Sequence, residues 1–328
     1  MYVKQTYFEF GDKPHKLLAR HLRKRESDRA IHAIRSDSGL LINSCKDINT
    51  AFRQLYEQLY TSQCNALPEI MQDFLSKCNL PTLAQKDRTL LDTDLTCPEL
   101  INIIRSLKNG KSPGPDGLCN EFYKKFSSLL TPYLLKMFNM ALKDGALPQT
   151  LNEATVTLIP KNGKDPELVS SYRPISLLNT DQKILAKSFA RRLSSHIGKL
   201  VHPDQTGFIP ARHASYNLRC LFDIIYSSRD PDKDLVILSL DAEKAFDCVE
   251  WSYLYAVLSK FGVGPKFVSW IQLLYSNPCA RILTNNTLSE PIKLFRGTRQ
   301  GYALSPLLFD LALEPLAETI RKQRNTWL

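Results

Sequence analysis

Leu235-Val-Ile-Leu-Ser-Leu-Asp-Ala-Glu-Lys-Ala-Phe-Asp247 is the most informative segment of this 328-residue chain. Its first six residues are almost continuously apolar, which predicts a β-strand that is buried on both faces. Asp241 then lies at the carboxyl end of that strand, with Glu243 and Asp247 close by in sequence. Carboxylate oxygens are the ligands that Mg²⁺ prefers. Taken alone, an aspartate in this position also fits an ordinary turn or helix cap.

Three further segments combine cations with turns in a fixed order along the chain. Gly297-Thr-Arg-Gln-Gly301 joins a flexible turn, a cation and an amide, although a simple hairpin-to-helix connection has the same composition. Lys161 follows a strand predicted over 154–159. Arg173 precedes Pro174, which forces an extended backbone. Ordinary structure explains each segment singly, and their ordered co-occurrence with Asp241 favours one site.

Longer motifs carry a resemblance to a known family. They are Lys-Ser-Pro-Gly-Pro-Asp-Gly (111–117), Leu-Ile-Pro-Lys (158–161), Tyr-Arg-Pro-Ile-Ser-Leu-Leu-Asn (172–179), His-Pro-Asp-Gln-Thr-Gly-Phe-Ile-Pro (202–210), Asp-Ala-Glu-Lys-Ala-Phe-Asp (241–247), Gly-Thr-Arg-Gln-Gly (297–301) and Ser-Pro-Leu-Leu-Phe (305–309). On these motifs the chain resembles the reverse transcriptase of LINE-type, non-LTR retrotransposons over nearly its whole length. The most specific motifs are those at 172–179 and 297–301.

The resemblance implies a right-hand polymerase with an α+β fold. The loop-like composition of residues 79–97 predicts a domain boundary near residue 95. We therefore expect a mainly helical extension over residues 1–95, and the fingers and a partial palm with an incomplete sheet over residues 96–328. The implied reaction is RNA-directed DNA synthesis, in which two Mg²⁺ ions stabilise the attacking and leaving oxygens. The implied partners are an RNA template, a DNA primer and deoxynucleoside triphosphates. The start of the sequence has no signal-peptide pattern, which predicts an intracellular setting in the cytoplasm or nucleus, and no membrane partner is expected.

The resemblance also implies roles for three residues at the centre of the site. Asp241 would be the catalytic aspartate and would ligate both Mg²⁺ ions. Ala242 would lend its backbone carbonyl to one ion. Phe246 would be an aromatic gate beneath the incoming sugar, where a 2′-hydroxyl would clash with the ring.

Four more residues are implied to contact the nucleotide. Lys161 and Arg173 would bind the triphosphate, because fixed cations offset the charge of the departing pyrophosphate. The guanidinium of Arg173 is suited to forked contacts with phosphate oxygens. Gln300 and Gly301 would pack against the nucleotide and the template base.

Charge and composition fit this interpretation and exclude several others. The chain is 43% hydrophobic and has a formal net charge of +10, a composition typical of globular rather than disordered proteins. Its apolar runs are too short to span a membrane. The sequence contains neither C-x-x-C nor H-x-x-x-H spacing, so it predicts no zinc site. The basic surfaces at Arg20–Arg25 and Lys183–Lys199 are expected to follow a template backbone. A merely solvated basic face remains the simpler alternative.

Local patterns predict elements around the site. Thr96 and Glu99 form a capping box at the start of a helix. The segment 108–117 is rich in Gly and Pro, which predicts a loop. A long helix is expected over 181–200, and a hairpin is expected around Asn285-Asn286.

The sequence also departs from the family. The family's palm carries a second acidic motif, an aromatic-x-Asp-Asp turn downstream of Gly-x-Arg-Gln-Gly, and this sequence contains no Asp-Asp pair. Tyr302 and Ala303 stand where the family usually has Cys and Pro. We therefore expect a truncated or decayed copy that is inactive by itself. Three alternatives stay open: a module that binds RNA without polymerising, a relative of the group II intron maturases, and an inert translated fossil.

Overall fold

A computed structural model of the chain describes residues 19–20, 24, 30–36, 39–64, 68–227, 236–299 and 301–323. Within these residues, helices and short strands mix along the chain, so the fold is α+β as predicted. The helices are α1 (Cys45–Tyr60), α2 (Pro68–Lys77), α3 (Gln85–Leu91), α4 (Cys97–Arg105), α5 (Asn120–Lys125), α6 (Ser127–Asp144), α7 (Gln149–Asn152), α8 (Thr180–Ser194), α9 (Ile197–Leu200), α10 (Ala214–Ser227), α11 (Trp251–Lys260), α12 (Pro265–Leu274) and α13 (Ser305–Lys322). The strands are β1 (Ile34–Arg35), β2 (Leu41–Ile42), β3 (Glu153–Pro160), β4 (Tyr172–Leu177), β5 (Cys279–Thr284), β6 (Thr287–Leu288) and β7 (Ile292–Lys293).

The main sheet has the strand order β4-β3-β5-β6, and β7 also pairs with β5. The predicted hairpin is confirmed, since β5 and β6 pair antiparallel with Leu283 opposite Leu288. Asn285 and Asn286 form its turn, with φ values of 46° and 61°. Asparagine tolerates this left-handed backbone better than most residues, which explains the short connection. β7 pairs with the start of β5, where Ala280 lies opposite Ile292.

The chain forms two compact units. The first comprises residues 1–55, 156–174 and 281–290, and the second comprises 56–155, 175–280 and 291–328. Within the first unit, the Asn49 side-chain amide donates to the carbonyls of Ile282 and Thr287 and to the Thr284 hydroxyl, at 2.8–3.1 Å. This buried amide ties α1 to the β5–β6 hairpin. The predicted domain boundary near residue 95 stays a prediction.

Helices make most of the second unit, where α4 packs against both α6 and α8. The predicted Thr96 cap is confirmed, because its side chain accepts from the Glu99 backbone N–H at 3.4 Å. The other half of the capping box is wrong, since the Glu99 carboxylate accepts from Arg192 at 2.6 and 2.7 Å. Leu100, Ile103 and Ile104 supply the buried face of α4. The expected helix over 181–200 is divided into α8 and α9, with Ser195 and His196 between them. No helix of the described chain has the length and apolar character needed to cross a bilayer.

The loop predicted over 108–117 is confirmed and is held by the end of the 172–179 motif. The Asn179 side-chain oxygen accepts from the Asp116 backbone N–H at 3.2 Å, and its amide donates to the Thr150 carbonyl at 2.8 Å. A Cβ on Gly114 would clash with Asn179. Glycine is therefore required where the loop passes Asn179. Two motifs that carry the family resemblance are thus in direct contact.

The predicted strand over 235–240 is wrong for its described residues. Residues 236–240 have no regular structure, and Val236, Leu238 and Leu240 are 77–84% exposed. A strand needs a neighbour to satisfy its backbone N–H and C=O groups and to cover its apolar faces. None of the described strands pairs with this segment. The basic surface predicted at Arg20–Arg25 falls outside the described residues, except for Arg20 and Lys24.

Candidate active site

Asp241 and Ala242, the predicted metal ligands, lie on the exposed backbone that follows the apolar segment. The described residues contain no group of three or more His, Cys, Asp or Glu side chains arranged to hold a metal ion. That Asp241 and the Ala242 carbonyl ligate a cation stays a prediction.

The two central motifs of the sequence pack against each other within the second unit. The Phe246 carbonyl accepts from the Thr298 backbone N–H at 2.6 Å and from the Thr298 hydroxyl at 3.1 Å. The residue before Thr298, Gly297, donates its backbone N–H to the Val249 carbonyl at 2.7 Å. The 244–250 turn is thereby fixed to the 296–299 segment by backbone hydrogen bonds.

Gly297 is required by the closeness of this packing. Its φ is +92°, a conformation that residues with a side chain rarely adopt. A Cβ at this position would lie 2.8 Å from the Asp247 carbonyl oxygen. The predicted flexible turn is therefore a tight contact that only glycine fits.

The Phe246 ring is partly exposed and lies between two other aromatic residues. Its centroid is 4.9 Å from that of Phe309 on α13 and 5.9 Å from that of Phe208. Edge and tilted contacts of this kind stabilise ring positions beyond simple burial. The sequence predicted no role for Phe208 and Phe309, although both lie inside the family motifs at 202–210 and 305–309.

Asp247, in contrast, faces the interior. It is 2% exposed, and the Tyr60 hydroxyl donates to its carboxylate at 3.0 Å. Its backbone N–H donates to the Lys244 carbonyl at 2.8 Å. Asp247 therefore anchors the 244–250 turn to α1 and offers no exposed carboxylate beside Asp241.

Like Asp247, the arginine of the Gly-Thr-Arg-Gln-Gly segment faces the protein interior. Arg299 is 6% exposed, and its guanidinium donates to the Asn152 carbonyl at 3.0 Å. Gly301 has a φ of +116°, and a Cβ there would lie 3.1 Å from the Ser176 carbonyl oxygen. This close approach brings the 297–301 and 172–179 motifs together. Gln300 lies outside the described residues.

The two predicted phosphate ligands belong to the first unit, whereas Asp241, Phe246 and Gly301 belong to the second. Lys161 lies at the end of β3, where its N–H donates to the Ser171 carbonyl at 2.7 Å. Its ammonium donates to the Ser170 carbonyl at 3.0 Å. Arg173 lies on β4, the strand beside β3, and is exposed. The first unit thus brings these two cations to neighbouring strands.

A cluster of cations lies on the outer face of α8 and the segments near it. Lys187 donates to the Ser106 carbonyl at 2.9 Å. Desolvation lowers its pKa, and the positive charges of Lys124, Arg191 and Lys108 lower it further. These four side chains, here called the α8 basic cluster, form a positive surface that favours anionic ligands.

Comparison with known proteins identifies similar sequences. A family model described as reverse transcriptase (RNA-dependent DNA polymerase) matches residues 159–328, slightly more than half of the chain. An uncharacterized 149 kDa protein of transposon TX1 from Xenopus laevis is 33% identical over 301 residues, which are 92% of this chain and 23% of that protein.

Two Drosophila melanogaster proteins are also similar. The Pol polyprotein from the type-2 retrotransposable element R2DM is 30% identical over 211 residues, 64% of this chain and 19% of that protein. A probable RNA-directed DNA polymerase from transposon BS is 27% identical over 290 residues, 88% of this chain and 31% of that protein. The chain thus spans between 19% and 31% of the length of these three relatives.

Proposed function

Because this chain belongs to the reverse transcriptase (RNA-dependent DNA polymerase) family, in its non-LTR retrotransposon branch, we propose that it is the fingers and partial palm of an enzyme that copies RNA into DNA. One observation carries the proposal. The Asp241–Asp247 motif, which follows an apolar segment, is joined by hydrogen bonds to the Gly-x-Arg-Gln-Gly motif through Phe246 and Thr298. Both motifs lie within the residues that match the family model.

Phe246 is proposed as the gate that selects deoxyribonucleotides. Phe208 and Phe309 support its ring, while part of the ring stays open to solvent. A ring that two neighbouring aromatic rings hold in place resists displacement by a 2′-hydroxyl. Gly301, with no side chain beside its backbone, is proposed to let the nucleotide and template base approach, together with Gln300.

Lys161 and Arg173 are proposed to bind the triphosphate. Lys161 directly follows β3, Arg173 lies on the neighbouring strand β4, and the Arg173 side chain is exposed. Phosphoryl transfer depends mainly on positioning and on neutralising charge, which fixed cations provide.

A divalent cation is proposed to bind at Asp241 and the Ala242 carbonyl. Reverse transcriptases generally use such ions, which polarise phosphate oxygens when bound. Asp241 is exposed and therefore accessible to an ion. Since these two groups are only part of a ligand set, the chain by itself is not expected to complete nucleotidyl transfer.

The α8 basic cluster is proposed to bind the phosphate backbone of the RNA template or the DNA primer. Lys108, Lys124 and Arg191 lie close enough to Lys187 for their charges to repel its ammonium. A polyanion relieves this repulsion and releases its own counterions, so binding should be strongly salt-dependent.

The proposed function is tested by nucleotide binding to the chain on an RNA template annealed to a DNA primer. We expect Mg²⁺-dependent binding of the complementary deoxynucleoside triphosphate in preference to a mismatched one. Asp241→Asn should weaken that binding at least roughly tenfold, since it removes a charged ligand. Glu243→Gln, an exposed acid two residues away, is the matched control and should bind like the wild type.

Two other outcomes distinguish the alternatives. Salt-sensitive template binding with no preference for the complementary nucleotide would contradict the polymerase proposal and support the non-catalytic binding module. DNA synthesis by the chain alone, abolished by Asp241→Asn, would support the polymerase and overturn the expectation that the chain is inactive by itself.

A further inference from the structure

Two buried acids on α13 are not used by the proposed chemistry. Asp310 is 1% exposed and Glu314 is 3% exposed. Both acids stand out in the sequence, because they interrupt an apolar helix at positions one turn apart. A carboxyl group removed from water needs hydrogen-bond partners in the protein. The partners of these two acids come largely from the loop that carries the 202–210 motif.

Asp310 reaches this loop through one hydrogen bond. Its Oδ1 accepts from the Gln205 side-chain amide at 2.9 Å. Its Oδ2 is buried and has no hydrogen-bond partner in the described part of the chain. Glu314, one turn further along α13, accepts from the His202 backbone N–H at 3.2 Å and pairs with Arg321.

The 202–212 loop is held in a conformation that it would not adopt alone. Phe208 and Ala211 have φ values of 56° and 62°, in the left-handed region that disfavours residues with a Cβ. The Arg212 guanidinium donates to four backbone carbonyls, those of Gly198, Val201, His202 and Gln205. The loop is therefore fixed by its surroundings rather than by its own preference.

The same two elements supply both rings around Phe246. Phe208 lies three residues from Gln205 on the loop, and Phe309 precedes Asp310 on α13. Their centroids lie 5.9 and 4.9 Å from that of Phe246. The Gln205–Asp310 hydrogen bond therefore joins the two supports of this ring.

We propose that Asp310 is a positioning residue for Phe246, because its hydrogen bond to Gln205 fastens the 202–212 loop to α13 and so keeps Phe208 and Phe309 against the Phe246 ring. This inference rests on the proposed function, in which Phe246 selects the sugar.

Burial of Asp310 favours its neutral form, which still accepts the Gln205 hydrogen bond. Burial raises the pKa of Asp310 to about 7, and the nearby charge of Glu314 acts in the same direction. The Gln205 hydrogen bond and the positive charge of Arg212 oppose this rise. The other charged or titratable groups around the two acids are His202, Asp204 and Arg321. Because the packed site disfavours the charged form and an opened loop does not, opening should become easier as the pH rises from the ordinary carboxyl range to about 7, and then level off.

Hydrogen–deuterium exchange tests the inference on the full chain. Peptides covering 202–212 and 244–249 are followed at about pH 6 and about pH 8.5, after correction for the intrinsic pH dependence of exchange. In the wild type, exchange of both peptides should rise roughly tenfold at the higher pH, because most Asp310 is then ionised. Asp310→Asn keeps the acceptor and cannot ionise, so both peptides should exchange equally slowly at both pH values.

Two further variants make the result decisive. Gln205→Ala should accelerate exchange of both peptides at both pH values. Glu318→Gln, a change of the same kind on the same helix, should follow the wild type. The inference is overturned if Asp310→Asn keeps the wild-type pH dependence, or if Gln205→Ala leaves 244–249 protected.

This measurement needs no nucleotide and no DNA synthesis. Expected exchange together with absent nucleotide binding would therefore refute the proposed function and leave the positioning contact standing. Selective nucleotide binding with pH-independent exchange would refute the positioning contact alone.

Discussion

The Tyr60 hydroxyl donates a 3.0 Å hydrogen bond to the Asp247 carboxylate in the interior of the second unit. Asp247 is almost fully buried, so protein donors must replace the water that a carboxylate would otherwise bind. Burial, together with the charge of Asp247, raises the pKa of Tyr60 well above its ordinary value. The phenol therefore stays protonated and remains a donor at physiological pH.

Replacing Tyr60 by Phe should destabilise the chain. The change removes one donor from a buried carboxylate, which costs about 1–3 kcal/mol of unfolding free energy. Urea denaturation measures the loss. Tyr133→Phe is the matched control, because Tyr133 is exposed, and it should change stability by less than about 0.5 kcal/mol. Equal losses in the two variants would show that the Tyr60–Asp247 bond contributes no net stability.

Gly297→Ala should be more damaging than Gly110→Ala. Both glycines have positive φ, so alanine at either position costs about 1–2 kcal/mol in backbone strain. Only at Gly297 does the new Cβ also meet a backbone carbonyl, that of Asp247, at 2.8 Å. Gly110 has open space around it. Both variants share the backbone strain, and only Gly297→Ala adds the steric clash, so the difference between their thermal unfolding midpoints measures the clash. Similar midpoints would argue against a clash at Gly297.

Asp181→Asn should remove part of the pH dependence of stability. Burial raises the pKa of Asp181 from 3.8 to about 6, helped by the charge of Asp116 and opposed by a hydrogen bond from the Gln182 backbone. Between these values the unfolded chain releases the proton and the folded chain keeps it. The free energy of unfolding therefore falls as the pH rises from about 4 to about 6 and then levels off.

The difference between Asp181→Asn and the wild type should thus grow in favour of the variant across that range. Urea denaturation at several pH values gives this difference. Asp223→Asn, on the exposed helix α10, should run parallel to the wild type. A variant curve parallel to the wild type would mean that Asp181 ionises normally in the folded chain.

Local chemistry explains which elements the sequence predicts well. The Thr96 cap and the β5–β6 turn at Asn285-Asn286 depend on residues close together in the chain, and both are confirmed. The 108–117 loop follows from its Gly and Pro content. What the sequence does not reveal is its docking on Asn179, because that contact joins residues about 65 positions apart.

Elements that depend on distant partners are predicted less well. Residues 236–240 have the composition of a buried strand, but composition supplies no neighbouring strand, and the described segment is exposed. Asp247 and Arg299 look like solvent-facing charges within functional motifs, yet Tyr60 and Asn152 hold them inside. The roles of Asp241, Lys161 and Arg173 come from the family resemblance and stay predictions.

Lys187→Ala should weaken nucleic-acid binding and reduce its salt dependence. Lys187 lies in the α8 basic cluster, so its loss removes about one phosphate contact. We expect the slope of log affinity against log salt to decrease by about 1 for an RNA–DNA duplex. Lys77→Ala is the control, because Lys77 already pairs with Asp73 at 2.5 Å. An unchanged slope in Lys187→Ala would exclude the cluster from the binding surface.

Phe246→Val should relax selection between deoxyribonucleotides and ribonucleotides. The wild-type ring, supported by Phe208 and Phe309, leaves no room for a 2′-hydroxyl if it lies beneath the sugar. Valine removes most of that bulk, so the ratio of ribonucleotide to deoxyribonucleotide Kd should fall roughly tenfold. Competition binding of the two nucleotides to the chain on an RNA template and DNA primer measures the ratio.

Phe295→Val provides the matched control, because Phe295 is exposed, whereas the ring contacts given for Phe246 in the described chain are with Phe208 and Phe309. Its Kd ratio should equal that of the wild type. If Phe246→Val weakens both nucleotides equally, the ring contributes to binding in general and does not read the sugar. A fall in the ratio caused by tighter ribonucleotide binding, with the deoxyribonucleotide Kd unchanged, is the result that a steric gate requires, because removing bulk relieves a clash without removing an attraction.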